Sequence, residues 1–266
     1  MKIGKCSGNP VARFLFGLTL CVLATVSGQS RALAEDVSVW VYHNFPPYIV
    51  DASEQRGLSY DLARMLTEMS DGQYDFRVVM LPRQRLNQRL SSGEPGIVLW
   101  ANPAWFADMD RTRFRWTTPI LGDTNVVISP KADAFEYDGP QSLSGMTMVG
   151  VRGHRYQGVE GLIEDGSVER IDVRAERNLV QFIASGRGRV AIVAESAARY
   201  FVQELELEDR VHFSDMFHAR YQRHVMVQPQ LEAVHAFVSG AVSDLKRAQD
   251  WVDVVETYGL DADVLP

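Results

Sequence analysis

Three arginines at alternate positions, Arg111, Arg113 and Arg115, run into Trp116, two threonines and Pro119. A guanidinium is planar and carries paired N–H donors, so it matches the two oxygens of a carboxylate with two parallel hydrogen bonds. Alternation would place the three on one face of a strand, which makes this stretch the first place to look for a bound anion; the competing reading is a solvated strand edge. A second candidate is the run Gly150, Val151, Arg152, Gly153, His154, Arg155, Tyr156, which reads as a strand, a glycine turn and a helix start. Free backbone N–H groups at such a helix start attract anions, and His154 would tune the local charge near neutral pH. The run has neither the ending of a Walker loop nor a dinucleotide fingerprint, so an ordinary turn competes. Glu195 follows the apolar residues 190–194, a position where a helix dipole also favours a carboxylate. Tyr42, Phe45, Tyr48, Trp100 and Trp105 fall at strand ends or in the loops beyond, as a stacking wall or as core plugs. Tyr42 and Trp100 end strands and are the stronger binding candidates.

Other chemistries find no support. The six histidines show no HxxxH or HExxH spacing, which argues against a zinc site. Ser196 lies in Ala-Glu-Ser-Ala-Ala, without the flanking glycines of a nucleophile elbow. No catalytic residue, metal or cofactor is expected.

The elements that must position these residues alternate in type. Residues 37–42 read as a strand, 59–70 as a helix with Leu62, Met65, Leu66 and Met69 inward, 74–80 as a strand, 83–92 as a helix and 97–100 as a strand. This βαβαβ order predicts a mostly parallel sheet covered by helices. Pro119 should bend the chain before a short strand at 125–128, a seam between two lobes. The rhythm then restarts, with strands at 146–151, 168–173 and 190–194 and helices at 156–164, 176–184 and 195–205. An extended segment at 218–227 and helices at 230–246 and 248–258 close the chain, the first of them with a broad apolar face. Two α/β units, the second inserted into the first, would form a cleft lined by strand ends, where open α/β sheets bind ligands.

Residues 1–34 combine a cationic start, an apolar run over 14–26 and Ala32-Leu33-Ala34, the pattern of a signal peptide cleaved after Ala34. An apolar run of roughly 13 residues is shorter than the ~20 that cross a bilayer. Both cysteines, Cys6 and Cys21, lie in it, so the mature chain would hold no disulfide. Of the 27 basic residues four lie in this segment and none of the 34 acidic ones does, leaving 23 against 34 and a net charge of −11. That balance argues against nucleic acid and anionic membranes as partners.

Phe45-Pro46-Pro47-Tyr48 and residues 57–62, Gly-Leu-Ser-Tyr-Asp-Leu, resemble stretches of the family 3 extracellular solute-binding proteins, the polar amino-acid binders of bacterial ABC importers. So do the arginine run into Trp116-Thr117-Thr118-Pro119-Ile120, residues 143–151 and residues 186–196, in the family's order over about 37–260. The resemblance implies a two-lobed α/β fold of the type II periplasmic-binding-protein kind, with lobe 2 (125–220) inserted in lobe 1 (35–124 and 221–266). It implies a periplasmic monomer that closes on a small zwitterionic or anionic ligand, an amino acid or related carboxylate. The partner would be an inner-membrane ABC permease or a membrane sensor. It assigns the carboxylate clamp to Arg111 or Arg113, between which the spacing does not choose. Further carboxylate contacts fall to the loop of His154 and Arg155, and the ammonium contact to Glu195. Trp100 and Asn102 stand in a stretch that replaces the family's small polar one, and Ser59 replaces its usual acid. Related folds include periplasmic cyclohexadienyl dehydratases, but where those carry a second carboxylate this chain has Ser196-Ala197-Ala198-Arg199, so a binding protein is expected and not an enzyme. A scaffold whose cleft has lost its ligand is the other alternative.

Overall fold

The computed structural model describes residues 33–260. The expected signal segment, but for its last two residues, therefore lies outside the described residues. The first half of the chain builds β1 (Glu35–Val41), α1 (Leu58–Met69), β2 (Tyr74–Met80), α2 (Arg83–Ser91) and β3 (Ile97–Ala101). After a two-residue strand β4 (Arg115–Trp116) come β5 (Leu121–Pro130), β6 (Thr147–Val151), α3 (Glu160–Glu164) and β7 (Glu169–Val173). They are followed by α4 (Glu176–Ala184), β8 (Val190–Ala194), α5 (Glu195–Glu204), β9 (Val211–Phe213), β10 (Ala219–Val227), α6 (Glu232–Leu245) and α7 (Gln249–Thr257).

The strands follow the order β2-β1-β3-β10-β5-β8-β6-β7. β1 runs parallel to β2 and β3, and β6 runs parallel to β7 and β8. Between these two parallel trios lie β10 and β5, antiparallel to their neighbours. β10 changes partner within its length: Ala219 to Arg223 pair with β5, and from His224 onward it pairs with β3, with an irregularity between His224 and Met226. The two trios are thus linked by the paired strands β5 and β10.

Each trio is covered on both faces, as a parallel sheet requires. In β1, Val37, Val39 and Val41 join the cluster under α1, α6 and α7, while Trp40 points to the opposite cluster with Leu86, Phe106 and Trp116. This is the period-two alternation of a strand. In the other trio Val149 packs with α4 and α5, and Met148 with Tyr137, Leu143 and Tyr156.

Four expectations are corrected. Of the residues expected to share one strand face, only Arg115 lies in a strand; Arg111 takes a left-handed backbone at φ 56° and starts no ladder. The strand expected at 125–128 spans ten residues, because β8, β9 and β10 all pair with it. The helix expected at 156–164 is confined to α3, since Gly158 sits at φ 79°, outside helical geometry. Met69, expected inward, is exposed in the last turn of α1.

Candidate functional site

The paired strands carry a buried ion pair. Asp123 on β5 faces Tyr221 across the ladder, and Leu121, two residues earlier, faces Arg223. Asp123 and Arg223 are therefore diagonal neighbours on one face, within reach of each other's side chains. Arg223 Nη2 and Nε donate to Asp123 Oδ2 at 2.7 and 3.2 Å. Both side chains are 2% exposed.

Three distant segments converge on this pair. The loop after β1 brings Tyr48, whose hydroxyl donates to Asp123 Oδ2 at 2.9 Å. The start of α5 brings Ser196, whose hydroxyl donates to the same oxygen at 2.9 Å and whose N–H points at Oδ1 at 3.4 Å. The end of β3 brings the Trp100 carbonyl, which accepts from Arg223 Nη1 at 3.4 Å. Arg223 Nη1 also meets His43 Nε2 at 3.2 Å, and Nη2 donates to the Tyr221 hydroxyl at 3.1 Å. A guanidinium has five N–H donors, and here each has an acceptor. Its flat faces are closed by aromatic rings: Tyr48, Tyr221 and Trp105 lie 4.6, 5.0 and 5.4 Å from the guanidinium carbon, the geometry of a cation–π cage.

Burial opposes a charge on Arg223, yet the oxygens of Tyr221 and Tyr48 and the Asp123 carboxylate outweigh it and raise its pKa. Burial pushes the tyrosine hydroxyls well up, so both are neutral donors at neutral pH. His43 moves well below the ordinary histidine range, first from burial and then from Arg223 and Arg83. It is neutral, and because its Nε2 faces the donor Arg223, its proton sits on Nδ1.

The residues singled out in sequence divide around this cluster. Tyr42 and Trp100 reach it: Tyr42 stacks on His43 with ring centroids 4.0 Å apart, and Trp100 lies 5.2 Å from Tyr48. The Trp100 indole turns away, donating to Ser59 Oγ at 2.8 Å, which accounts for a hydroxyl at position 59. Asn102 borders the cluster by donating to the Gln222 carbonyl at 2.8 Å, while its own oxygen caps the turn at Ala104. His154 is exposed, lies on Tyr156, and is near enough to lower the pKa of His43. Arg155 is exposed beside Glu160. Glu195 adjoins Ser196 in sequence, but its carboxylate accepts from Arg199 at 2.6 and 2.8 Å one helical turn on. Arg111 and Arg113 are exposed and are not brought to the cluster; Arg113 donates to the Phe106 carbonyl at 2.9 Å. Their segment wraps a different acid, the fully buried Asp108, which accepts from the N–H groups of Thr112, Arg113 and Phe114 and from the Trp116 indole.

Sequence reasoning passed over Asp123, Arg223, Tyr221 and His43 as site residues. The available signal was a charge set against apolar residues: Asp123, the one charge of β5, and Arg223 just before the run His224-Val225-Met226-Val227. Among the described residues no group of three or more histidine, cysteine or acidic side chains is placed to hold a metal ion. No described helix is long and apolar enough to cross a membrane.

Comparison with known proteins places this geometry in a fold. No protein-family model and no curated protein matches the chain. Among solved structures, it is similar to one from work on glutathione import via GshT and the cystine ABC importer TcyBC of Streptococcus mutans. The TM-score is 0.68 at 14% identity, over 88% of this chain and 98% of that one. An ancestral arginine-binding protein bound to arginine matches with TM-score 0.66 at 14% identity, over 85% and 99%. A histidine kinase sensor domain with similarity to periplasmic binding proteins matches with TM-score 0.62 at 18% identity, over 85% and 96%. The chain has the two-lobed α/β fold of the periplasmic solute-binding proteins.

Proposed function

We propose that this chain is an exported solute-binding protein whose two lobes close on a small zwitterionic or anionic ligand, an amino acid or related carboxylate. Its lobes are 35–124 with 221–266, and 125–220. The observation that carries the reading is the buried cluster itself, in which Tyr48 and Asp123 from the first lobe meet Ser196 from the second. In this fold, a point where groups of both lobes meet marks the edge of the space a ligand would fill on closure, and only interactions made in the closed state shift that equilibrium. Tyr42 and Trp100 line this region, with His154 and Arg155 on the facing loop and Glu195 beside Ser196. Arg111 and Arg113 take part only if the loop that carries them moves.

Delivery to an ABC permease and sensing through a membrane partner both fit, and the similar structures include one of each association. We read the protein as a binder and not an enzyme because Ser196 donates to a carboxylate already paired with arginine, which leaves no base to activate it. The test is thermal unfolding of the purified protein against amino acids, opines, dicarboxylates, polyamines and prephenate. A ligand at 100 times its Kd stabilises by about 2.7 kcal/mol, roughly 5 to 10 °C for a chain of this size. A shift with one class supports the reading. Turnover of prephenate, or no shift with any class, overturns it.

A further inference from the structure

Four buried side-chain polar atoms among the described residues have no hydrogen-bond partner. Two are the indole N–H groups of Trp40 and Trp251, deep in apolar clusters. The other two are neighbours at the edge of the Arg223 cluster: His43 Nδ1, which carries the imidazole proton, and the Tyr42 hydroxyl. A buried donor left unmade is costly, so a pair of them side by side points to an acceptor that arrives from outside.

The surrounding charge says which kind of acceptor. The Arg83 guanidinium lies 5.1 Å over the Tyr42 ring and 4.2 Å over Phe106, and among the described residues it has no carboxylate partner; its hydrogen bonds go to Asn87 Oδ1 and the Trp105 carbonyl. Burial is the main influence on both groups, and the charges of Arg83 and Arg223 act on His43 and Tyr42 as well. Two acids nearest the cluster are already engaged: Asp123 by Arg223, Tyr48 and Ser196, and Glu195 by Arg199. The aromatic cage that could hold a cation is filled by the chain's own guanidinium.

We propose that the ligand of this site is an organic carboxylate without an ammonium group. His43 Nδ1–H and the Tyr42 hydroxyl donate to its oxygens, and Arg83 supplies the countercharge. The proposal rests on the binding-protein reading and narrows it from zwitterions and anions to anions alone.

Thermal unfolding of the purified protein with propionate, succinate, 2-oxoglutarate and benzoate, beside arginine, glutamine and putrescine at equal concentration, separates the two claims. The expected result is a rise of roughly 5 °C or more with at least one of the four carboxylates and none with the amino compounds. A rise with an amino compound and with no carboxylate overturns the ligand class and leaves the binding-protein reading standing; no rise at all removes both. Tyr42→Phe tests the donor by titration calorimetry with the carboxylate that responds. Removing an unpartnered hydroxyl should leave the unliganded melting temperature unchanged or higher, while the Kd rises about tenfold for one lost hydrogen bond to a charged group. An unchanged Kd in that variant overturns the assignment of Tyr42.

Discussion

Asp123 and Arg223 lie inside a protein that could have filled the same volume with apolar side chains. A buried ion pair gives up several kcal/mol of hydration per ion, and its attraction at best offsets this when every remaining hydrogen bond is made. Here all five guanidinium donors and both carboxylate oxygens are engaged. Removing one partner is therefore worse than removing both. We predict that Asp123→Asn lowers stability by about 3–5 kcal/mol, a fall in melting temperature of roughly 6–20 °C. The double replacement Asp123→Leu with Arg223→Met should lose less than the single one, because no isolated charge stays buried. If calorimetry gives Asp123→Asn the parental melting temperature, water reaches the pair and the cluster is not sealed.

At the scale of elements, two devices bring short, locally ordinary segments to the cluster. β10 leaves β5 for β3 at the residue after Arg223, so one strand contributes to both halves of the sheet path. The loop carrying His43 and Tyr48 is held against the start of α1, where the N–H groups of Leu58 and Ser59 donate to the carbonyls of Pro47 and Tyr48. Gly57 permits this approach: its φ is 134°, and a Cβ there would lie 2.6 Å from the Tyr48 carbonyl oxygen. Gly57→Ala should cost about 1–3 kcal/mol through backbone strain alone. It should also displace Tyr48, seen as a weaker Kd for whichever ligand shifts the parent protein. A variant with parental stability would mean that the loop relaxes without cost.

For the whole molecule, the strand and helix order was legible in the sequence because periodicity is local. Residues 176–184 and 190–194 read as a helix and a strand, and fold as α4 and β8 with those limits. Lengths were less legible where pairing decided them, as with β5, whose ends are set by three partner strands. The cluster joins residues of both proposed lobes, so the proposed closure would be a motion of the two about β5 and β10. We predict a smaller radius of gyration by small-angle scattering when a responding ligand is saturating, and the same value with one that does not shift the melting temperature. Equal values in both cases would remove the closing-cleft account.

What the sequence determined by itself was the α/β alternation, the two units and the aromatic residues after β1 and β3, since these depend on neighbours a few residues apart. The tertiary structure alone decided which charges meet. Arg111, Arg113 and Arg115 drew attention by their spacing, yet the first two lie exposed at the surface. Arg223 lies 100 residues from Asp123 and 180 from His43, and Ser196 lies 148 from Tyr48. Contacts at such separations leave no periodic trace in the chain; they arise only once two paired strands lay their side chains on one face and burial forces each charge to find its partner.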